Sequence, residues 1–443
     1  MSMTVRTNMD ALRTLNQMTT NHALAHKHLM KVSTGMKVRD AQDDASAYAI
    51  SERMRVRIRA LDQAHSNTQN GSNMMKTAEG AVSQIIETLK TLKEKAINAA
   101  NDSNSDEERR MLQKEFNELV DQIDDDALIT FNNKYLIDGT RNNAFEPTRT
   151  VLLNQNLSEG TTTDTRLTAL TNRAGDSLEI QSSDYYQLSW VMNGKLSTAS
   201  GRVEEKTLAD ILQIQDVSEL QTTTDGQITG ITDKFGNEFY TPDRKEGIFV
   251  SSPAATTDAD ELESQLAGFA ISITDSEGNV KKAANSALDA FKQYQRAEIQ
   301  TDDQSLSFHV GADSNFATKF SLTDMRTRAL GLKGSDGTII SISTKEDANA
   351  TINVLDNVLT KVLNQQSTIG SAISRLEHTA TNLTTSFTND QASDSVIRDA
   401  DMATEMAGYL KYNVLTQASQ AMLAQANQNP MNVIALISGQ QGE

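Results

Sequence analysis

Cysteine is absent from this chain of 443 residues, and both proline and aromatic side chains are scarce. Without cysteine, the chain can form neither a disulfide framework nor a thiolate metal site, and it has no cysteine nucleophile. Aromatic residues make up 5% of the sequence, which is less than the deep pockets of enzymes usually use. The chain has only 4 prolines, and this scarcity favours long helices.

Positive charge is also in deficit. The 59 acidic side chains outnumber the 41 basic ones, so the formal net charge is -18. Such a surface disfavours nucleic acid, whose phosphates need a basic footprint, and it equally disfavours anionic membranes. No run of about 18 apolar residues exists, so we predict no transmembrane helix. The first residues lack the apolar segment of a secretory signal, so we expect a secreted form to use another route.

The N-terminal part contains apolar residues in alternating steps of four and three, which is the spacing of a coiled-coil seam. The stripe consists of Ala11, Leu15, Met18, His22, Ala25, Leu29, Val32 and Met36. A break follows at Ser33-Thr34-Gly35, and Asp43 or Asp44 is placed to cap the next helix. Ser105 and Glu108 have the spacing of a capping box at the start of a further helix.

The C-terminal part contains the longest heptad pattern, which polar Gln366 alone interrupts. The core positions predicted for this helix are Ile352, Leu355, Leu359, Val362, Ile369, Ile373, Leu376 and Leu383. A last helix follows, with a stripe of Met402, Met406, Leu410, Val414, Ala418 and Met422. We expect Asn429-Pro430 to kink or end it.

We expect the two ends of the chain to pair and to leave apolar stripes that one copy does not fully bury. The predicted polymerisation seam consists of Leu15, Met18, Ala25, Leu29, Val32, Leu410, Val414 and Met422. Such a surface favours a self-assembling structural protein, because an exposed apolar patch marks an interaction site.

The middle of the chain, from about 141 to 303, alternates as strands do. Tyr186, Leu188, Trp190 and Met192 alternate before Asn193-Gly194, which predicts a tight hairpin. A motif beginning at Leu170, Ile231 and Ile273 places Asn or Asp three residues before Gly, and we interpret its three copies as β-hairpins of related small units. We also predict a helix over 284–293. The predicted fold is mainly α: a long antiparallel helical coiled-coil rod, a small β-hairpin region and an inserted β-rich (α+β) outer domain.

Several motifs resemble those of bacterial flagellins, and they follow one another in the order typical of that family. They are STGMKVRDAQDDA (33–45), AISERMR (49–55), TAEGA (77–81), LSFHVGA (306–312), RLEHT (375–379), IRDADMA (397–403) and QANQ (425–428). The resemblance covers roughly 1–140 and 304–443, while the segment between them is the part that varies among flagellins.

The resemblance implies a division of the chain. Residues 1–42 and 400–443 would be the terminal helical arms of the inner filament core. Residues 43–140 and 304–399 would form the helical rod, and 141–303 the variable, surface-exposed insert. The chain would polymerise with copies of itself into the extracellular flagellar filament for swimming, after export through the flagellar type III apparatus. Its partners would be an export chaperone at the C-terminal arm, the filament cap and the hook-junction proteins.

One departure from the family concerns the innate immune receptor TLR5. Many recognised flagellins carry a segment like R-x-R-E-L-A-V-Q, where this chain has TLKEKAIN at 91–98. Thr91 stands in place of an arginine and Lys95 in place of a leucine, beside Lys93, while Glu115 matches a receptor-contacting glutamate. Losing a bidentate arginine and an apolar anchor removes typical hot-spot chemistry, so we expect weak recognition.

Other candidate sites have simpler explanations. His22 and His26 are four residues apart, with His28 nearby, as in some zinc sites, but no third ligand follows at a fixed spacing. The insert has no histidine, which excludes an H-E-x-x-H protease there. We interpret Asp399 and Asp401 as helix-start residues rather than a catalytic pair. The sequence therefore predicts no catalytic residue, metal or cofactor. The alternatives are a related axial component such as a hook–filament junction protein, and a secreted enzyme or adhesin displayed in the insert.

Overall fold

The helices and strands come from a computed structural model, which describes residues 8–144, 148–212, 220–223, 227–233, 235–241, 244–253, 260–299 and 301–438. The helices are α1 (Met9–Thr34), α2 (Ala45–Ala99), α3 (Asp106–Ala127), α4 (Leu208–Leu212), α5 (Asp260–Glu263), α6 (Lys282–Leu288), α7 (Thr327–Leu330), α8 (Lys345–Arg398) and α9 (Met402–Ser438). The strands are β1 (Thr130–Phe131), β2 (Lys134–Tyr135), β3 (Val151–Asn154), β4 (Tyr185–Met192), β5 (Lys195–Arg202), β6 (Leu220–Thr222), β7 (Gln227–Thr232), β8 (Glu238–Tyr240), β9 (Ile248–Ser251), β10 (Leu266–Thr274), β11 (Lys292–Gln295), β12 (Leu306–His309) and β13 (Ala317–Phe320). The predicted fold class, mainly α with a β-rich insertion, is confirmed.

Local capping chemistry sets the helix ends. Gly35 has a left-handed backbone (φ 69°) and ends α1, as the predicted break requires. Asp44 Oδ1 accepts hydrogen bonds from the N–H groups of Ser46 and Ala47, both at 3.0 Å, so it caps α2 as predicted. The predicted capping box between Ser105 and Glu108 is present at the start of α3.

The chain forms two compact units, of which the first comprises Met1–Asn67, Val310–Phe316 and Thr379–Glu443. Within it, α1 packs on α9, which confirms that the two ends of the chain pair. The start of α2 also runs antiparallel to the end of α8. Ser51 Oγ donates to Asp394 Oδ1 at 2.6 Å, and Leu61 packs with Leu383 further along both helices.

The second unit comprises Thr68–His309 and Ala317–His378. Its helical part joins the rest of α2 to α3 and to the rest of α8. Lys76 pairs with Glu377 at 3.0 Å, and Gln366 Nε2 donates to Ser83 Oγ at 3.2 Å, so these stretches of α2 and α8 are antiparallel. The large side chains fully buried in these helices include Met75, Ile85, Leu89, Leu92, Phe116 and Ile123.

The insertion in this unit contains a three-stranded sheet, β10-β4-β5, and a four-stranded sheet, β11-β3-β9-β6. Both sheets contribute to one core, in which Trp190 is buried and Phe269 meets Phe291 edge to face at 4.9 Å. Asn193 and Gly194 have positive φ angles of 48° and 73°, which confirms the predicted hairpin between β4 and β5.

The three repeated motifs form the same turn. In each, one side-chain oxygen of Asn172, Asp233 or Asp275 accepts two backbone N–H groups, from the residues two and four positions later. The glycine of each turn has a positive φ, which side chains disfavour. The turn at Asp233 joins β7 to β8 and confirms one predicted hairpin, while the turns at Asn172 and Asp275 are each closed by a single bridge, Thr171 with Ser177 and Thr274 with Val280.

One predicted helix boundary is wrong, and one of two expected outcomes at a proline does not occur. The helix predicted over 284–293 ends at Leu288, and Lys292 and Gln293 instead pair with β3, because sheet pairing overrides local helix propensity here. At Asn429-Pro430, where we expected a kink or an end, the helix does not end but continues to Ser438, and the kink stays a prediction.

Candidate polymerisation surface

The contact between α1 and α9 is made largely by polar and small side chains. Asn21 is buried in it, and its Nδ2 lies 3.2 Å from Ser419 Oγ on α9. Asn8 Nδ2 donates to the carbonyl oxygen of Ala426 at 2.8 Å. A buried asparagine at a helix seam specifies the register at some cost in stability. The pairing is therefore specific, and it leaves several large apolar side chains of both helices exposed, among them Leu15, Leu29, Leu410, Val414 and Met422.

One end of this contact is organised around His28. Its Nδ1 lies 2.6 Å from Glu405 Oε2, and Lys31 Nζ reaches the other oxygen of Glu405 at 3.5 Å. The imidazole ring stacks on Tyr412 with centroids 5.4 Å apart. It also covers Gly408, where a Cβ would lie 2.8 Å from the ring. Gly408 thus permits the close approach of the two helices at this point.

The predicted seam residues lie mostly beside this contact rather than within it. Leu15 and Leu29 on α1 are exposed, as are Leu410, Val414 and Met422 on α9, while Met18 and Val32 are half-buried. Ala25 alone among them is buried. His22, the polar member of the predicted α1 stripe, is exposed, whereas the neighbouring Asn21 is buried. Each helix therefore pairs through one face and leaves an apolar stripe on another, where it can bind a further surface.

Sequence reasoning missed the residues that hold α1 to α9. The face of α9 in this contact includes Glu405, Tyr412, Ser419 and Ala426, which recur every seven residues. That seven-residue period could have indicated the face of α9 that contacts α1. Its four members, however, are a charged, an aromatic, a hydroxyl and a methyl side chain. A search for apolar residues passes over such a pattern.

The predicted rod-core residues line the buried side of α8. Leu355, Val362, Ile369, Ile373, Leu376 and Leu383 are buried, and Ile352 and Leu359 are half-buried. Their role in bearing load in an assembly stays a prediction.

The candidate receptor-contact residues lie on α2 and α3. Lys95 Nζ pairs with Glu115 Oε1 at 2.7 Å, and Lys93 pairs with Asp356 on α8. Thr91 is half-buried, and its hydroxyl donates to the carbonyl of Glu87 in its own helix. The carboxylate of Glu115 is thus already engaged by a lysine of the same chain.

The residues considered as catalytic or metal-binding candidates are helix-capping, hydrogen-bonded or exposed side chains. Asp401 caps α9 through the N–H groups of Ala403 and Thr404, and Asp399 accepts a hydrogen bond from Ser395. His22 and His26 are exposed on α1. Among the described residues, no group of three or more His, Cys, Asp or Glu could hold a metal ion. None of the described helices has the length and apolar character needed to cross a bilayer.

The sequence is similar to known proteins over most of its length. Residues 5–142 match the bacterial flagellin N-terminal helical region, and residues 352–437 match the C-terminal helical region. A flagellin of Clostridium tyrobutyricum is 30% identical over 431 residues, covering 96% of this chain and 99% of the relative. A flagellin of Bacillus subtilis is 26% identical, covering 98% of this chain and 100% of the relative. Among solved structures, a flagellar hook associated protein-3 of Legionella pneumophila is 15% identical with a TM-score of 0.33, covering 77% of this chain and 97% of that one.

Proposed function

The chain belongs to the bacterial flagellin family and is a structural subunit of the flagellar filament outside the cell, and on that premise we propose which of its surfaces build the filament. The apolar stripes exposed on α1 and α9 are those surfaces, with Leu15, Leu29, Leu410, Val414 and Met422 as their main contacts. Met18, Ala25 and Val32 complete the seam. The observation that carries the proposal is that polar contacts hold α1 to α9, while large apolar side chains beside them face solvent.

Burial of these side chains is the driving force of assembly. Removing a leucine side chain from water contributes roughly 1.5–3 kcal/mol, and each copy would bury several of them. The polar contact between α1 and α9 sets the register of the pair before assembly. One face of α1 and α9 thus sets the register of the pair, and another face of the same helices binds neighbouring copies.

Different segments of the chain have different roles in the filament. The terminal arms, 1–42 and 400–443, line the inner core of the filament. The rod, 43–140 and 304–399, bears load through the heptad core of α8, and the insert, 141–303, meets the surroundings. The support is that most heptad residues of α8 are buried, while most large apolar residues of the α1 and α9 stripes are exposed.

We propose further partners for export and assembly. The chain leaves the cell through the flagellar type III apparatus. An export chaperone covers the apolar face of the C-terminal arm beforehand, and the cap and hook-junction proteins contact the same arms during assembly. A chaperone suits this face because Leu410, Val414 and Met422 would otherwise be open to premature contacts.

The flagellins are a structural family, and we propose that this member has no catalytic activity. A hook–filament junction protein is the second candidate. The filament subunit is favoured over it, because two relatives that match over almost their full length are flagellins. For TLR5 we propose weak recognition. In support, Lys95 replaces an apolar anchor and pairs with the glutamate that a receptor would need.

Reversible assembly of the purified protein tests this function. Filaments are dissociated by acid or heat, returned to polymerising conditions on short filament seeds, and examined by electron microscopy. Growth of micrometre-long filaments from the seeds is the expected result. A protein that never elongates on seeds would contradict the filament assignment and favour the junction protein.

A further inference from the structure

Methionine carries all of the sulfur in this chain. The sequence has 16 methionines and no cysteine, so an oxidant that attacks sulfur finds only thioethers. Methionine oxidises to a sulfoxide, which reductases convert back to the thioether. The methionines that face solvent therefore decide where such a reversible modification can occur.

The exposed methionines are concentrated on the two terminal helices. Among the described residues outside α1 and α9, every methionine is buried or half-buried except Met111 on α3. The exposed methionines of the terminal helices are Met9 and Met30 on α1, and Met402, Met406, Met422 and Met431 on α9. Exposed thioether side chains thus coincide with the helices that we assign to assembly.

Three of them belong to the apolar stripe of α9. The stripe proceeds in steps of four residues, so each member lies beside the next on the helix surface. Its members are Met402, Met406, Leu410, Val414, Ala418 and Met422. Met402 is 47%, Met406 43% and Met422 64% exposed, so these side chains are accessible in the single chain. In the proposed assembly, the same side chains are buried against a neighbouring copy.

Oxidation converts each of these apolar side chains into a polar one. The sulfur lone pair attacks an oxygen of hydrogen peroxide or hypochlorous acid and forms the S–O bond. The O–O or O–Cl bond breaks, and the oxidant, reduced by that electron pair, leaves as water or as chloride and a proton. The sulfoxide is polar, and burying its oxygen without a hydrogen-bond donor is costly.

We propose that Met402, Met406 and Met422 form an oxidation site that regulates addition of the subunit to the filament. The inference rests on the proposed assembly surface of α9. In the free subunit, a peroxide or hypochlorous acid oxidises the three thioethers, and the polar stripe no longer packs against a neighbouring copy. In the filament, the same thioethers are shielded from the oxidant. Leucine at these positions would supply a similar apolar contact without this response.

Exclusion of sulfoxides from growing filaments tests the proposal with the wild-type protein. Purified monomer is partly oxidised with hydrogen peroxide, the peroxide is removed, and the monomer is mixed with filament seeds. Filaments and remaining monomer are separated by centrifugation, and peptide mass spectrometry measures the sulfoxide fraction at each methionine in both. Met111 is the internal control, because it is 61% exposed and lies outside both terminal helices.

At the three stripe positions, we expect the sulfoxide fraction to be at least about tenfold lower in the filaments than in the remaining monomer. At Met111 the two fractions should be similar. Treatment of the remaining monomer with both methionine sulfoxide reductases should restore its elongation. Equal sulfoxide fractions at the stripe positions, or monomer that stays unable to elongate once its sulfoxides are reduced, would overturn the proposal.

Leucine variants assign the effect to the stripe. The combined variant Met402→Leu, Met406→Leu and Met422→Leu should elongate as fast after full oxidation as before it, because volume-conserving apolar replacements keep the packing. Met111→Leu should lose elongation on oxidation, as the wild type does. An oxidised triple variant that fails to elongate, although it elongates untreated, would contradict the assignment to these three residues.

Oxidation of preformed filaments separates a failure of this inference from a failure of the proposed function. If α9 is an assembly surface, peroxide should oxidise the three stripe methionines at least about tenfold more slowly in filaments than in monomer. Equal rates would contradict the assembly surface itself. Shielding in filaments together with normal addition of oxidised subunits would leave the assembly surface in place and overturn the oxidation site alone.

Discussion

Asn8 donates a hydrogen bond from its side chain to the carbonyl oxygen of Ala426, at 2.8 Å. In an uninterrupted helix that oxygen would accept the N–H of residue 430, but proline occupies this position and has no N–H. The side chain of α1 therefore replaces the missing donor in α9. This explains why α9 continues past Pro430, where the sequence led us to expect a kink or an end.

The variant Asn8→Ser tests whether the Asn8 side chain replaces the backbone N–H that Pro430 lacks. Serine retains the ability to cap α1, as Asn8 does through Ala11 N, but it is too short to reach Ala426. We expect the amides of α9 near Ala426 to lose about 1 kcal/mol of protection against hydrogen exchange. In a Pro430→Ala background, where alanine supplies the N–H, the loss should largely disappear. An equal loss in both backgrounds would show that Asn8 acts in another way.

The sequence predicted well those features that local chemistry determines. The caps at Asp44 and Ser105, the Asn193-Gly194 hairpin and the three repeated turns depend on residues close together in the chain. The heptads of α8 were equally visible, because an apolar face repeated over many turns leaves few alternatives.

Features that depend on distant partners were not predictable in the same way. The donor that satisfies the carbonyl oxygen of Ala426 comes from Asn8, more than four hundred residues away along the chain. Lys292 and Gln293 became part of a strand because β3 was available to pair with them. The contact between α1 and α9 uses Asn21 and His28, each one residue before a member of the predicted apolar stripe. These polar residues do not contribute to a hydrophobic pattern.

The insertion contains a buried ion pair whose loss should destabilise it. Lys281 Nζ lies 2.6 Å from Asp184 Oδ2, and the side chain of Asp184 is only 1% exposed. Lys281→Met would leave this carboxylate without its cation, and we expect a loss of about 3–5 kcal/mol in the free energy of unfolding. The single tryptophan, Trp190, is buried in the same insertion, so its fluorescence in a urea titration reports the change.

Lys195→Met is the control for that measurement. Lys195 pairs with Asp336 at 2.9 Å, but both side chains are exposed, so its removal should change stability by no more than about 1 kcal/mol. Equal effects of the two substitutions would contradict the importance given to burial of Asp184.

Receptor recognition should increase when the two departures are reversed together. Thr91→Arg restores a bidentate donor, and Lys95→Leu restores an apolar anchor while releasing Glu115 from its ion pair. We expect the double variant, as purified monomer, to activate a TLR5 reporter line at a concentration at least about tenfold lower than wild type. Lys76→Leu, which removes another ion-paired lysine from α2, should leave the response unchanged. Strong activation by the wild-type protein would contradict the expected weak recognition.

The most direct test of the assembly surface is elongation of filament seeds by Leu29→Asp and Leu410→Asp. Leu29 is 42% and Leu410 55% exposed, so either aspartate should be tolerated in the single chain. In the filament it would become a buried, unpaired charge, whose cost of several kcal/mol should abolish growth. Val280→Asp is the matched control, because Val280 is an equally exposed apolar residue of the insertion (56%). Both leucine variants should remain folded and fail to elongate while Val280→Asp grows normally, whereas normal growth by either leucine variant would contradict the account.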